Sequence, residues 1–235
     1  MNLLYRIVDC FFPHFCVCCG SIGTDLCLNC LSKIKPRIVA QCVYCYDYVE
    51  NGKTHKNCLK KYGIDGVWIL FPYAPLLRTI IHAVKYRNVR GAMRDLIISK
   101  GQTRLAYQCR QIFPQDAILI PIPLFPSRHR SRGFNQAAYI ADVFGHLFKL
   151  NVDETILLRK KDTTAQSAIK EKGARFENIK GAFEINTKQK IRTIVLVDDV
   201  WTTGATMLEA CKVLKQSGVI QVFALILSGK IQPSA

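Results

Sequence analysis

The chain has 235 residues, 49% hydrophobic and 21% charged, which is enough apolar material for a packed core and excludes a disordered polymer. Its 33 Lys and Arg against 17 Asp and Glu give a formal net charge of +16, which favours polyanionic partners: nucleic acid, nucleotides, diphosphates or anionic lipid. The length predicts one domain of ordinary size plus a small satellite, divided as residues 1–62 and 63–235.

The amino end, MNLLYRIVDCFFPHFC, is apolar but interrupted by Arg6 and Asp9, and it reads as no signal peptide. No run reaches the length needed to span a bilayer, so the expected location is the cytoplasm. Leu3, Leu4, Ile7, Val8 and Phe11 fall on one helical stripe, which either packs on the core or touches the inner membrane peripherally.

Nine of the eleven cysteines lie between Cys10 and Cys58, a crowding that points to metal rather than disulfides. Cys16-Val-Cys-Cys19 and Cys27-Leu-Asn-Cys30 are two C-x-x-C turns, each able to give zinc two soft ligands from one side. Cys42-Val-Tyr-Cys45 and His55-Lys-Asn-Cys58 form a second set, in which His55 is either a ligand or an exposed turn residue. One or two structural zinc ions are expected, with Cys16, Cys19, Cys27, Cys30, Cys42, Cys45, His55 and Cys58 as ligands. Sequential and interleaved pairings both satisfy the spacing, and Cys18 can replace a neighbour in the first knuckle. Cys10 and Cys18 are otherwise left as structural residues.

Beyond residue 65 strand-like and helix-like segments alternate, the pattern of an α/β fold with a parallel sheet. Strands are expected at Gly66–Tyr73, Ala117–Ile122, Thr155–Leu158, Arg192–Val197 and Gln221–Leu227. Helices are expected at Pro75–Arg87, Met93–Phe113, Phe134–Leu150 and Thr203–Gln216. There is no G-x-x-x-x-G-K-[ST] and no G-x-G-x-x-G, so the usual nucleotide-binding loops are missing.

IVLVDDVWTTGATM, from Ile194 to Met207, predicts a buried strand, a loop from Asp198 to Thr203, and a helix. Ligands of open parallel sheets bind beyond the carboxyl ends of the strands. There a helix amino terminus and the hydroxyls of Thr202, Thr203 and Thr206 suit a phosphate, and Gly204 lets it approach the backbone. Two carboxylates beside that phosphate need a neutral or cationic partner. Sugar hydroxyls and magnesium both qualify, which suggests a ribose 5-phosphate. The bland alternative is a solvated turn and helix cap.

This stretch resembles the phosphoribosyl pyrophosphate signature of type I phosphoribosyltransferases. Pro121-Ile-Pro-Leu-Phe-Pro-Ser-Arg-His-Arg-Ser-Arg-Gly-Phe-Asn-Gln136, Val84-Lys-Tyr-Arg87 and the cysteine-rich head narrow the likeness to the ComF family of bacterial competence proteins. The resemblance implies a type I phosphoribosyltransferase-like sheet flanked by helices, with a small amino-terminal zinc ribbon. It implies that Asp198 and Asp199 hold the ribose hydroxyls as the catalytic acids. Thr202, Thr203, Gly204, Ala205 and Thr206 would take the 5-phosphate, and Arg128, Arg130 and Arg132 the pyrophosphate from a loop, with magnesium as companion ion. The segment from Arg159 through Thr163 and Gln166 to Arg175 and Phe183 fits the same pattern, its first half matching the loop that covers such a site. Phe125, His55 and Trp201 depart from the family's expected histidine, cysteine and smaller residue.

The role implied is binding of single-stranded DNA during natural transformation, with a retained site for phosphoribosyl pyrophosphate and magnesium. Other competence proteins, such as a DNA-uptake helicase, are the implied protein partners. The alternative is an active phosphoribosyltransferase with an unidentified acceptor. Lys85, Arg87, Arg90 and Arg94, together with Arg128, Arg130 and Arg132, are the expected DNA-binding cations; Tyr86, Phe125, Phe134 and Trp201 beside them either fill the core or offer stacking faces, Trp201 being the first candidate for stacking.

Overall fold

The computed structural model describes residues 13–37, 39–49, 52–101, 113–164, 169 and 171–229. The apolar stripe of residues 3–11, Cys10, Cys109 and Gln166 lie outside these.

The cysteine-rich head contains a short helix α1 (Leu28–Lys33) and strand β1 (Val39–Ala40). The body follows as β2 (Gly66–Pro72), α2 (Pro75–Arg87), α3 (Arg90–Gly101), β3 (Ile118–Pro121), α4 (Pro126–Arg132), α5 (Gln136–Phe148) and β4 (Asn151–Val152). It continues through β5 (Leu157–Arg159), α6 (Lys172–Ile179), β6 (Phe183–Ile185), β7 (Thr193–Trp201), α7 (Ala205–Gln216) and β8 (Gln221–Gly229). The main sheet has the order β1-β2-β8-β7-β3-β4. Its five body strands are parallel and β1 is an antiparallel edge, while β5 and β6 form a separate antiparallel pair. A parallel sheet flanked by helices is the architecture expected from the sequence.

The central strands β7 and β8 read as nearly continuous apolar runs because both faces are covered. Val195, Val197, Phe223 and Leu225 project into one cluster with Ile80 of α2, Met93 of α3 and Phe144 of α5. Ile194, Leu196, Ala224 and Ile226 project into the opposite cluster with Met207 and Leu214 of α7 and Phe183 of β6. The head joins both sides. Cys16, Leu26 and Leu31 belong to the first cluster, and Val43 packs on the second.

Asp65, in the link between head and body, is fastened to the last two elements. It accepts from Lys215 Nζ at 2.7 Å and from the Val222 backbone N–H at 2.7 Å.

Among the differences from the expected elements, three bear on the site. The strand expected to stop at Val197 runs to Trp201, because β8 continues alongside it and pairs Asp198 with Ile226, Val200 with Ser228 and Trp201 with Gly229. The helix expected from Met93 starts at Arg90, after Asn88 ends α2 in the left-handed conformation. The arginine-rich segment expected as a loop is the helix α4, begun by Pro126 and ended by Gly133 at φ 79°.

The Phe223 ring lies 5.5 Å from Trp68 and 5.7 Å from Phe113 at the centre of the first cluster. Phe223→Ala should therefore lower stability by about 3–5 kcal/mol in urea unfolding, with the slope of the transition unchanged.

Candidate functional site

Four segments meet at the carboxyl edge of the parallel sheet: the end of α2, α4 after β3, residues 159–164 after β5, and the β7–α7 junction. Asp198 and Asp199 are neighbours near the end of β7, their carboxylates close enough to hydrogen-bond each other. Asp199 is buried and meets Lys85 of α2, its Oδ2 lying 2.5 Å from Nζ. Burial alone would depress the Lys85 ammonium. The Asp199 and Asp198 charges and the hydrogen bond to Asp199 reverse this and hold it above the ordinary lysine value. Asp198 Oδ1 accepts from the Asp199 backbone N–H at 2.8 Å. Desolvation and the Asp199 charge push Asp198 up to about 8, against the pull of Lys85.

After Trp201 the chain turns through Thr202 and Thr203 into Gly204, whose φ of 77° favours glycine. A Cβ there would stand 2.4 Å from the Trp201 ring, so the indole fixes a tight turn and excludes any larger residue. Trp201 is only 8% exposed and packs in the core, which corrects the expectation that it offers a free stacking face. No side chain caps the start of α7. The Ala205 N–H has only a long 3.4 Å contact to Thr203 Oγ1, and Thr202 is exposed beside it. This end of α7 presents unpaired donors and hydroxyls, an arrangement suited to phosphate.

The helical form of α4 separates its arginines. Arg128 and Arg132, four residues apart, share a half-buried face, while Arg130 is exposed between them. Arg128 donates to the Thr163 carbonyl and lies 3.7 Å from Asp162. Arg132 donates to Gln136 Oε1. Arg159, which opens the segment expected to cover such a site, donates to Thr163 Oγ1. Burial and Arg128 lower its pKa, partly offset by Asp198 and Asp162. Asn178 holds Thr164 by two backbone hydrogen bonds, 3.1 Å from its N–H and 3.0 Å to its carbonyl.

The R-G-F-N-Q element acquires a structural reason. Gly133 ends α4, and Phe134 is buried with the Arg90 guanidinium 4.2 Å from its ring. Asn135 caps α5 by accepting from Ala137 N–H while donating to the Ile122 carbonyl at the end of β3, and Gln136 receives Arg132.

The expected cations therefore divide. Lys85 faces Asp199, Arg90 sits on Phe134, and Arg94 lies 3.4 Å from Asp95 on an exposed surface. Arg87 and Arg130 are exposed.

The metal ligands group sequentially. Cys16, Cys19, Cys27 and Cys30 form one set and Cys42, Cys45, His55 and Cys58 another, with ligand atoms in each within 4.8 Å of one another. Cys18 packs on the core instead. Tetrahedral zinc with Zn–S bonds of about 2.3 Å needs sulfurs about 3.8 Å apart. Cys19 and Cys27 stand at 3.6 Å, so the donors fit. His55 Nε2 donates to the Tyr48 carbonyl at 3.1 Å, leaving Nδ1, 3.3 Å from Cys45 Sγ, as the metal-facing nitrogen.

No protein-family model matches the chain. It is 30% identical over 230 residues to Competence protein F of Haemophilus influenzae, covering 92% of this chain and 97% of that one. The chain belongs to the ComF family. Within that family it is also similar to DNA utilization protein YhgH of Escherichia coli K12, at 29% identity over 65% of this chain and 68% of that one. Competence protein ComFC of Bacillus subtilis is 25% identical over 68% of this chain and 63% of its own.

Two measurements follow for this ComF-family chain. The purified protein should carry two zinc ions by elemental analysis. His55→Ala should retain one and His55→Cys both, whereas equal metal content in all three would remove His55 from the ligands. The second concerns Asp198, whose folded pKa of about 8 stands above its unfolded value of 3.8, so the folded chain holds a proton that the unfolded chain releases. Its contribution to stability is full below about pH 4 and is lost as the pH rises toward 8. Urea unfolding between pH 5 and 8 should show a decline that is smaller in Asp198→Asn, by up to about 1.4 kcal/mol per pH unit.

Proposed function

We propose that the chain binds single-stranded DNA during natural transformation and retains a site for phosphoribosyl pyrophosphate with magnesium. Support for the first part comes from the names of its relatives, competence and DNA utilization proteins, and from the net charge of +16.

The observation that carries the second part is the junction of β7 and α7, where two acids and the uncapped helix start lie side by side. The 5-phosphate binds at Thr202, Thr203, Gly204, Ala205 and Thr206, and the ribose hydroxyls at Asp198 and Asp199. Arg128 and Arg132 face the diphosphate, and Arg130, exposed on the other side of α4, serves the DNA surface instead. Bidentate guanidinium groups suit a diphosphate. Magnesium, when bound with the ligand, neutralises diphosphate charge. Asp199, paired with Lys85, is placed to accept from a hydroxyl or to meet the ion. Among the described residues no helix is long and apolar enough to cross a membrane.

Calorimetric titration of phosphoribosyl pyrophosphate and of single-stranded DNA into one preparation, with and without magnesium, tests both parts. The sugar phosphate should bind with magnesium, and DNA affinity should fall steeply with added salt. Asp198→Asn with Asp199→Asn should abolish sugar-phosphate binding and leave DNA binding intact or slightly stronger. Salt-insensitive or undetectable DNA binding sinks the DNA role. Sugar-phosphate binding that survives the double substitution sinks the assignment of the acids.

A further inference from the structure

Arg78, His82 and Tyr86 stand four residues apart on α2, hence on one face, and all three are exposed. The opposite face is sunk in the core through Leu77, Ile80, Ile81 and Val84, which fixes the orientation of the exposed one. The His82 and Tyr86 rings lie with centroids 4.5 Å apart. Tyr86 is 66% exposed, and the Arg132 guanidinium of α4 stands 6.0 Å from its ring. Alongside this stripe runs a groove of about 580 Å³ bounded by Tyr73, Arg78, His82 and Arg87.

A lone exposed tyrosine is ordinary on a protein surface. Here the ring is part of a run of cations and rings that step along the helix by about 6 Å, four residues at about 1.5 Å each. Among the described residues Arg78 and Arg87 form no ion pair. Neither α2 nor α4 contains an acidic residue, so nothing on these two helices offsets their cations.

We propose that this groove is the track for single-stranded DNA, with bases stacked on Tyr86 and His82 and backbone phosphates held by Arg78 and Arg87. The inference rests on the DNA-binding reading above and gives it a location. The chemistry selects the ligand: a duplex keeps its base faces stacked inside and offers nothing to the rings, and an acidic protein would satisfy the cations alone. The track ends at Tyr86, next to Lys85 and Arg132, so the strand passes beside the sugar-phosphate site without entering it.

The test uses full-length zinc-loaded protein and fluorescence anisotropy with a labelled oligothymidine at fixed salt. Arg78→Glu with Arg87→Glu should weaken binding at least tenfold while zinc content and sugar-phosphate binding stay as in the parent. Tyr86→Ala should weaken it roughly tenfold and Tyr86→Trp should restore it, because a base needs a ring face and not the hydroxyl. Reversing Lys188 and Lys190, which line a separate groove near the start of β7, is the control and should change affinity less than twofold. If the parent binds DNA but the α2 variants bind equally well, or the control weakens binding as much, the track is wrong and the DNA role stands. Displacement of the DNA by polyglutamate as readily as by unlabelled oligothymidine also overturns it, since the groove is then a general polyanion sink. A parent that binds no DNA fails the role itself, and the track with it.

Discussion

Burying a carboxylate in the low-dielectric interior of a sheet is costly unless a cation meets it there, and in this fold Lys85 meets Asp199. The pairing with Asp199 ties α2, which follows the first parallel strand, to β7 at the centre of the sheet. It also sets the two acids apart: Asp199 pairs with Lys85, while desolvation and the neighbouring carboxylate push Asp198 well above the ordinary carboxylate range. Two identical side chains in adjacent positions therefore sit in different electrostatic surroundings. The rest of the edge is built around that division. Arg159 approaches Asp198, and Arg128 and Arg159 converge on Thr163 to hold the segment after β5 near the acids.

The sheet was legible in the sequence because its strands are short apolar runs punctuated by proline and glycine, and because the alternation of strand and helix left little choice of class. The end of β7 was not. Two acids after Val197 look like the start of a loop, and what keeps them in strand conformation is the continuing ladder with β8, a non-local fact. The arginine-rich stretch was misread for the opposite reason. The resemblance placed a pyrophosphate loop there, yet Pro126 at the first position and Gly133 just past the last are ordinary helix punctuation and could have been read as such. Strand β4 is only Asn151–Val152 and left no periodic signal at all.

For the candidate site, residue types were legible and partnerships were not. Spacing alone marked the candidate zinc donors as close pairs, while the sequential grouping and the place of His55 beside Cys45 came only with the fold. The cations gave only a sum. Lys85, Arg87, Arg90 and Arg94 look like one basic cluster in sequence, but one neutralises an acid, one covers an aromatic ring and two reach solvent, because helix rotation and packing decide which face each occupies. The groove along α2 follows from the same rotation: Arg78, outside the sequence cluster, belongs with Tyr86 through helical spacing.

The bond between Asp65 and Val222 has a consequence for how the chain assembles. The head is synthesised first, yet Asp65, just after it, is secured by Lys215 and the β8 backbone, about 150 positions later, and the Tyr62 carbonyl likewise accepts from Cys211 Sγ. A ribosome-bound chain carrying both knuckles would still lack the surface they dock on, and their apolar sides would wait for the final strand. Loss of β8 would thus be felt at Asp65, 157 positions before Val222. The finished molecule is closed like a loop of cord, its first-made part sealed by its last.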